Sequence, residues 1–250
     1  MDEKRTLLID GDILLYGESA AVEMEFDWGD DWWTLHGDAR EAKERVDIWI
    51  ADIISLLDAT DVVLTLTGDQ NWRKDVLPTY KSNRKGKRKP VVYQELKRYV
   101  IDTYKTAMYA NLEADDVMGI LQTDPDNDHE TVIVSEDKDM MTIPGMLYRP
   151  IRPEEGVVEI SQQEADYNHF RQTLMGDSTD GYAGCPGIGP KTAEKVLKQA
   201  DPSDCWGLIV EAYEKAGLTE EDALTQARVA RILRHGEFCT KKEEVKLWNP

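Results

Sequence analysis

The sequence predicts an α/β protein in which a mainly parallel central sheet is flanked by helices and followed by a small helical module. Three short apolar runs, each ending in a carboxylate, have the length and composition of buried strands. They are TLLID at 6–10, DVVLTLTGD at 61–69 and ETVIVSEDKD at 130–139. From about residue 162 onward the β-type runs stop and helical patterns take over. We therefore expect an α/β domain at 1–160 and a helical module at 161–250.

Amphipathic helices are predicted between the strands. Apolar residues recur at helical spacing between the first two strands and again before the third. The two sets are Ala42, Val46, Trp49, Ile50, Ile53 and Leu57, and then Val92, Leu96, Tyr99 and Val100. Strands joined by such helices run parallel, so functional groups collect at the edge where their carboxyl ends lie. Asp10, Asp69, Asp137 and Asp139 are therefore expected to converge.

The composition excludes several classes of protein. With 41% hydrophobic and 32% charged residues, the chain is neither disordered nor fibrous. No apolar run approaches the roughly 18 residues of a membrane span, and the start is too polar for a secretory signal, so we expect a cytoplasmic protein with no membrane partner. Three cysteines without a CxxC pair disfavour a disulfide or zinc framework. The net charge of -19 repels nucleic acid unless basic residues are concentrated locally.

Carboxylates are concentrated in three motifs, LEADDVMG, SEDKD and GDSTDG. Each motif alone is typical of an ordinary acidic turn or helix start. Together with the strand ends they supply nine acids, which are Asp10, Asp69, Glu113, Asp115, Asp116, Asp137, Asp139, Asp177 and Asp180. Such a cluster would repel itself without divalent cations, and ligands that are all oxygen favour Mg²⁺ or Mn²⁺ over Zn²⁺. Two ions would suit phosphodiester hydrolysis.

A basic segment interrupts this acidic chain. KSNRKGKRK at 81–89 carries six Lys or Arg residues in nine positions, and NWRK at 71–74 precedes it. Cations bind phosphates, and an aromatic ring can stack on a base. The expected nucleic-acid contacts of this region are Arg73, Lys74, Tyr80, Lys81, Arg84, Lys85, Lys87, Arg88 and Lys89.

A glycine-rich hairpin precedes one of the predicted helices. GCPGIGPKTAEKVL places Gly187 and Gly189 ahead of a helix opened by Pro190, where bare N–H groups can face a phosphate beside Lys191. A nucleotide-binding P-loop does not fit, because Pro190 intrudes and no strand precedes the motif. Contact with the DNA backbone and a plain turn between helices both remain open.

The motifs together resemble the structure-specific 5′-nuclease superfamily, and they look most like the 5′-to-3′ exonucleases of short-tailed bacteriophages. The segments that carry this resemblance are NWRK, YKSNRK, LEADDVMG, SEDKD, GDSTDGYAGCPGIGPKTAE and the closing ARILR and LW. The resemblance implies a PIN-like α/β domain with a basic arch at about 70–104, followed by a helix–three-turn–helix DNA-binding module. It also implies a bound K⁺ at the 184–192 hairpin.

The resemblance assigns roles to individual residues. It places Asp10, Asp69, Glu113, Asp115 and Asp116 at a first metal ion, and Asp137, Asp139, Asp177 and Asp180 toward a second. It gives Lys81 and Arg84 the scissile phosphate. The catalytic set expected on this basis is Asp10, Asp69, Lys81, Arg84, Asp115 and Asp116.

The leading hypothesis is a Mg²⁺-dependent 5′-to-3′ exonuclease that degrades duplex DNA from ends or nicks by two-metal hydrolysis, with Mn²⁺ as a substitute. RNA in RNA–DNA hybrids and replication proteins are further partners implied by the resemblance. One alternative is a 5′ flap endonuclease, and another is a non-catalytic DNA-binding protein with structural cations. For the acidic, tryptophan-rich segment 18–36, packing on the body and a partner site both remain open.

Overall fold

The computed structural model describes residues 4–84, 86–198 and 205–250, and a six-stranded sheet forms the centre of its α/β part. The strands are β1 Arg5–Asp10, β2 Glu23–Asp27, β3 Trp33–Gly37, β4 Asp61–Thr65, β5 Thr106–Ala107, β6 Glu130–Val134, β7 Gly145–Tyr148, β8 Val157–Ile160, β9 Phe238–Cys239 and β10 Glu244–Val245. The central sheet has the order β5-β4-β1-β6-β7-β8. Only β8 runs antiparallel to its neighbour, so the predicted mainly parallel sheet is confirmed.

Helices cover both faces of this sheet and build the C-terminal part. They are α1 Gly11–Ala21, α2 Ala39–Leu56, α3 Arg73–Val76, α4 Tyr93–Thr103, α5 Ala114–Gln122, α6 Gln162–Met175, α7 Pro190–Leu197, α8 Cys205–Lys215 and α9 Glu220–Ala230. Side chains alternate along β1, as they must in a strand. Leu7 and Ile9 pack with α1, α2 and α4, whereas Leu8 packs with α5 on the other face.

The junction between β1 and α1 places the first acid at the carboxyl edge of the sheet. Asp10 ends β1 and caps α1 by accepting a hydrogen bond from the Ile13 backbone N–H at 3.1 Å. A Cβ on Gly11 would lie 2.7 Å from the Thr65 carbonyl oxygen. Only glycine lets the helix start this close to β4. The segment DGD at 10–12 thus turns the chain directly at the site.

The C-terminal part packs against the α/β part rather than standing apart. The chain returns after α9, and Leu233 and Phe238 are buried with Trp72, Leu112 and Val117. The last strand of the central sheet ends at Ile160 and α6 begins at Gln162, which lies near the expected boundary. The segment after α9 shares this apolar cluster with residues of the α/β part. The division into two domains at residue 160 stays a prediction.

Several short strands escaped the sequence analysis. The acidic segment at 18–36 contains an antiparallel hairpin of β2 and β3, on which Trp28 and Trp32 are 69% and 72% exposed. Exposed strands lack the apolar run by which buried strands are predicted. The short strands β5, β7 and β8 give equally weak signals, and β9 and β10 interrupt the expected all-helical C-terminal part. Across the described ranges, no helix combines the length and the apolar character that crossing a membrane requires.

Candidate active site

A first acidic group forms where β1 and β6 end. Asp10 is buried and accepts a hydrogen bond from the Ser135 hydroxyl at 2.8 Å. Burial raises the pKa of Asp10 to about 6, against the lowering effect of the hydrogen bonds from Ile13 and Ser135, and the nearby charges of Asp12 and Asp137 raise it further. A carboxylate held in this way is poorly compensated by the protein alone.

The start of α5 brings two more acids to this group. Thr67, just beyond β4, accepts a hydrogen bond from the Ala114 backbone N–H at 3.0 Å, which fastens the helix start to the strand end. Burial, followed by the charges of Asp10 and Asp137, raises the pKa of Asp115 well above its ordinary value. Glu113, which caps the helix, also contributes to this shift. Asp10, Asp115 and Asp137 thus lie close enough for their charges to affect one another.

A second acidic group continues from the first toward the helical part. Burial and then the charge of Asp137 raise the pKa of Asp139 to about 7, and Asp177 and Asp180 raise it further. Gln172 of α6 donates a hydrogen bond to Asp139 at 2.5 Å, and Lys138 donates one to Asp177 at 2.8 Å. These acids come from the loop after β6 and from the turn after α6, and they lie beside one another as predicted.

Lys81 and Arg84 point into the acidic groups. The Lys81 ammonium donates to Glu113 at 2.5 Å and lies 3.5 Å from Asp180, while Arg84 donates to Asp180 at 2.8 Å. Burial lowers the pKa of Lys81, but Glu113, Asp180 and Asp115 outweigh it, so the pKa is raised and the side chain stays charged. The Lys81 backbone has a φ of 52°, a left-handed conformation that few non-glycine residues adopt.

Two of the nine predicted acids do not share this arrangement. Asp116 is fully buried and both of its oxygens accept hydrogen bonds from the Arg73 guanidinium at 2.7 Å. Asp69 is exposed on the loop after β4. The structure therefore brings together seven of the acids, which are Asp10, Glu113, Asp115, Asp137, Asp139, Asp177 and Asp180.

Two predicted DNA contacts lie in the interior. Arg73 is only 2% exposed, and its donors are used by Glu113, Asp116 and backbone carbonyls. Tyr80 is 3% exposed, with its hydroxyl 3.0 Å from both Glu113 and Asp180. Neither side chain is placed where DNA could reach it, so the expectation of DNA contacts for Arg73 and Tyr80 does not fit the structure. The residue type alone does not show whether an arginine side chain is buried or exposed.

Four of the predicted basic residues line an open cleft beside the acids. The cleft has a volume of about 700 Å³ between α1 and the basic segment, with Arg84, Lys87, Arg88 and Lys89 on one wall. Lys89 lies 3.9 Å from the centre of the Tyr93 ring, and Arg88 pairs with Glu23 of β2 at 2.6 Å. Lys74 and Lys87 are exposed, and Lys85 lies outside the described residues.

The glycine hairpin presents bare backbone to solvent. Gly187 and Gly189 are exposed, and a Cβ added to either would meet no atom within 4 Å. Gly187 has a φ of 76° and requires glycine for its conformation, whereas Gly189 has a φ of -99° and does not. Lys191 is exposed in the first turn of α7. The predicted DNA contacts at Gly187, Gly189 and Lys191 are therefore accessible.

The donor set suits hard divalent cations, although the present side-chain positions do not enclose one. Within the described part of the chain, no three His, Cys, Asp or Glu side chains are close enough together to hold a metal ion. Lysines and Gln172 occupy several of the carboxylate oxygens instead. The pKa values of the buried Asp10 and the half-buried Asp139 are nevertheless raised to about 6 and about 7, and a divalent cation would relieve the repulsion between these carboxylates and their acidic neighbours. The oxygen-only donors fit Mg²⁺ or Mn²⁺.

Three residues that were not predicted from the sequence hold the acids in place. Asp12 accepts hydrogen bonds from the Thr67 backbone N–H and the Tyr93 hydroxyl, both at 3.1 Å. Ser135 and Gln172 donate to Asp10 and Asp139. Asp12 could have been predicted from its position two residues after Asp10. Ser135 and Gln172 belong to no motif, and only the fold shows which carboxylate each of them contacts.

Comparison with known proteins now identifies the family. Residues 5–166 match the family described as 5′-3′ exonuclease, N-terminal resolvase-like domain. The chain is 32% identical to the exonuclease of Escherichia phage T7 over 100% of this chain and 95% of that protein. It is 30% identical to the exodeoxyribonuclease of Enterobacteria phage T3 over 100% of this chain and 94% of that protein.

The fold is similar to that of a solved phage protein. The crystal structure of the T5 D15 protein, co-crystallised with metal ions, superposes with a TM-score of 0.65 at 15% identity, covering 91% of this chain and 89% of that chain. The PIN-like arrangement expected from the sequence is thereby confirmed. Because the family match spans well over half of the chain and the phage T7 relative aligns with all of it, this protein belongs to the 5′-to-3′ exonuclease family and is a 5′-to-3′ nuclease.

Proposed function

We propose that this nuclease is a Mg²⁺-dependent exodeoxyribonuclease that removes nucleotides from 5′ ends or nicks of duplex DNA. The observation that carries the proposal is the grouping of seven carboxylates, one of which, Glu113, lines a cleft together with four basic residues. The phage T7 and T3 relatives, named as exonuclease and exodeoxyribonuclease, support DNA as the substrate.

The acids would hold two divalent ions. Asp10, Glu113, Asp115 and Asp137 are the candidates for one, and Asp139, Asp177 and Asp180 for the other. Metal ions supply Lewis acidity for water attack on the phosphodiester and for departure of the leaving oxygen. The metal-bound form of the T5 protein supports this proposal. Mn²⁺ is proposed as a substitute because it takes the same oxygen ligands.

Lys81 and Arg84 would act on the scissile phosphate. Lys81 pairs with Glu113, which lines the cleft, and Arg84 pairs with Asp180. When a phosphate enters, the two side chains can donate to its oxygens and stabilise the negative charge that grows in the transition state. We therefore propose Lys81 and Arg84 as catalytic residues. Asp69, which is exposed on the loop after β4, is given no role in this proposal.

The exposed hairpin would bind the duplex. N–H groups near Gly187 and Gly189, together with Lys191, would donate hydrogen bonds to a backbone phosphate. We also propose that a K⁺ ion bridges the hairpin and the phosphate. RNA in RNA–DNA hybrids is a further proposed substrate, and replication proteins are proposed partners. We place the action in the cytoplasm, where the DNA of an infecting phage is replicated.

An assay on labelled duplex tests the proposal. A duplex with an internal label near one 5′ end should release labelled mononucleotides or short oligonucleotides over time in Mg²⁺, and no labelled product in EDTA. Blocking that 5′ end while leaving the 3′ end free should prevent the release. Equal degradation with Mg²⁺ and with EDTA, or degradation that starts at 3′ ends, would overturn it.

A 5′ flap endonuclease activity is the second candidate. The open cleft of about 700 Å³ between α1 and the basic segment offers room for a single strand next to the acids. A substrate with a labelled 5′ flap separates the two activities. A flap endonuclease releases the flap as one oligonucleotide, whereas the exonuclease releases short pieces.

A further inference from the structure

A buried ion pair lies directly behind the acidic groups. Asp116 is 0% exposed, and its two oxygens accept five hydrogen bonds. The donors are Trp72 Nε1 at 3.0 Å, Arg73 Nη1 and Nη2 at 2.7 Å each, the Leu233 backbone N–H at 3.1 Å and the Glu113 backbone N–H at 3.4 Å. All of the usual directions of approach to this carboxylate are thus occupied.

Arg73 is equally saturated. Besides Asp116, it donates to Glu113 at 3.0 Å and to the backbone carbonyls of Val229 and Arg231 at 2.9 and 2.6 Å. The guanidinium also lies 4.6 Å from the centre of the Trp72 ring. A planar arginine with five N–H donors is the only side chain that can make this set of contacts.

Asp115 and Asp116 face different ways although they are consecutive. Neighbouring residues of a helix are about 100° apart around its axis. Asp115 is under the electrostatic influence of Asp10 and Asp137, whereas Asp116 points to Arg73 and the segment after α9. A cation bound among Asp10, Asp115 and Asp137 would reach Asp116 only if the ion pair with Arg73 were first broken.

We propose that Asp116 and Arg73 are positioning residues of the nuclease and that Asp116 is not a metal ligand. This inference rests on the proposed metal-dependent function. The pair joins the base of the arch at Trp72, the start of α5 and the returning segment at Leu233. Through Arg73 it fixes Glu113, whose other oxygen holds Lys81.

Counting bound ions tests the assignment of Asp116 without any hydrolysis. Mn²⁺ titration, followed by calorimetry and by the electron paramagnetic resonance signal of free Mn²⁺, should give one ion fewer for Asp115→Asn than for the unmutated protein. Asp116→Asn should bind as many ions as the unmutated protein, with less than a threefold change in the half-saturating concentration. Loss of an ion in Asp116→Asn would overturn the inference.

Steady-state kinetics test the positioning role of Arg73. Arg73→Lys should lower kcat at least tenfold and leave KM for duplex DNA within twofold, because Arg73 does not touch DNA. Val117→Ala, a buried change in the same helix and the same apolar cluster, supplies a matched loss of stability. At a temperature where circular dichroism shows both variants fully folded, Val117→Ala should keep its kcat. A raised KM with unchanged kcat in Arg73→Lys would make Arg73 a DNA contact and overturn the proposal.

A milder variant covers the case in which Asp116→Asn does not fold. Trp72→Phe keeps an aromatic ring and removes one of the five hydrogen bonds to Asp116. It should retain the full count of Mn²⁺ ions and lose several-fold in kcat, and a lost ion would contradict the inference. If the unmutated protein binds no Mn²⁺ and cuts no DNA, the proposed function fails. If it does both and Asp116→Asn loses an ion, only the inference fails.

Discussion

At the scale of single residues, the site is a set of acids whose charges the protein only partly compensates. Glu113 is well compensated, because burial is outweighed by Arg73 and Lys81, which lower its pKa to about 2. Asp10 and Asp139 are not, and their pKa values are raised to about 6 and about 7. Near neutral pH these two acids therefore destabilise the metal-free fold once they ionise.

Removing the charge of Asp10 should stabilise the metal-free protein in a pH-dependent way. A raised pKa means that the folded state holds the proton more tightly than the unfolded state, so stability falls as pH rises from 3.8 to about 6. Above pH 6 the ionised Asp10 lowers the free energy of unfolding of the unmutated protein by an amount on the order of 3 kcal/mol, and Asp10→Asn should not show this loss. Thermal melts in EDTA should show the Tm difference between Asp10→Asn and the unmutated protein growing across that window.

The control for this melt is an acid far from the site. Glu154→Gln changes an exposed carboxylate in the short turn before β8 and should shift Tm by a similar small amount at every pH. A constant difference between Asp10→Asn and the unmutated protein from pH 4 to 7.5 would show that Asp10 is not held as described.

Lys81 and Lys74 form a matched pair for separating turnover from DNA affinity. Lys81→Ala should lower kcat by about 10²–10³ with little change in KM, because it removes charge from the reacting phosphate. Lys74→Ala removes an exposed cation of the same arch and should raise KM with kcat intact. Steady-state rates on one duplex measure both effects, and a Lys81→Ala enzyme with normal kcat would refute the catalytic role.

At the scale of elements, the basic segment and the glycine hairpin are the two surfaces proposed to bind DNA. Lys87 and Lys89 line the cleft, so replacing both with alanine should reduce the slope of log Kobs against log salt by about two. Lys4 lies before β1, at the opposite edge of the sheet from the acids, and Lys4→Ala serves as the control. Fluorescence anisotropy on an uncleaved duplex in Ca²⁺ gives the slopes. An equal slope for all three proteins would remove the cleft from the DNA path.

The hairpin can be tested at a glycine that its own backbone does not need. Gly189→Ala has no clash and no positive φ, so its cost to the fold should stay below about 1 kcal/mol. If a phosphate approaches this backbone, the added methyl group should weaken duplex binding at least fivefold. Gly207→Ala, on the exposed side of α8, should leave binding unchanged and stabilise the helix by about 0.5–1 kcal/mol. Equal binding by both variants would remove the hairpin from the interface.

At the scale of the whole molecule, the elements most visible in the sequence are those with buried, regular patterns. The strands β1, β4 and β6 and the helices α2 and α4 were predictable because their apolar residues recur at fixed spacing. Parallel strand order then placed Asp10 and Asp137 at one edge. The hairpin of β2 and β3 was not predictable, because its exposed strands carry no such pattern.

The site was predictable in its charges but not in its partners. The motif LEADDVMG shows two adjacent aspartates, and nothing in the letters separates Asp115, which faces the acids, from Asp116, which faces Arg73. The same limit applies to Arg73 and Lys74, of which one is buried and one exposed. These distinctions depend on contacts with the end of α9 and the segment after it, more than 100 residues away in the chain.

The most direct measurement is the anomalous diffraction of Mn²⁺ in crystals of the unmutated protein. We predict two peaks, one among Asp10, Asp115 and Asp137 and the other among Asp139, Asp177 and Asp180, with the Arg73–Asp116 pair intact. Mn²⁺ bound only elsewhere, or no bound Mn²⁺ at a concentration that supports cleavage of DNA, would contradict the account.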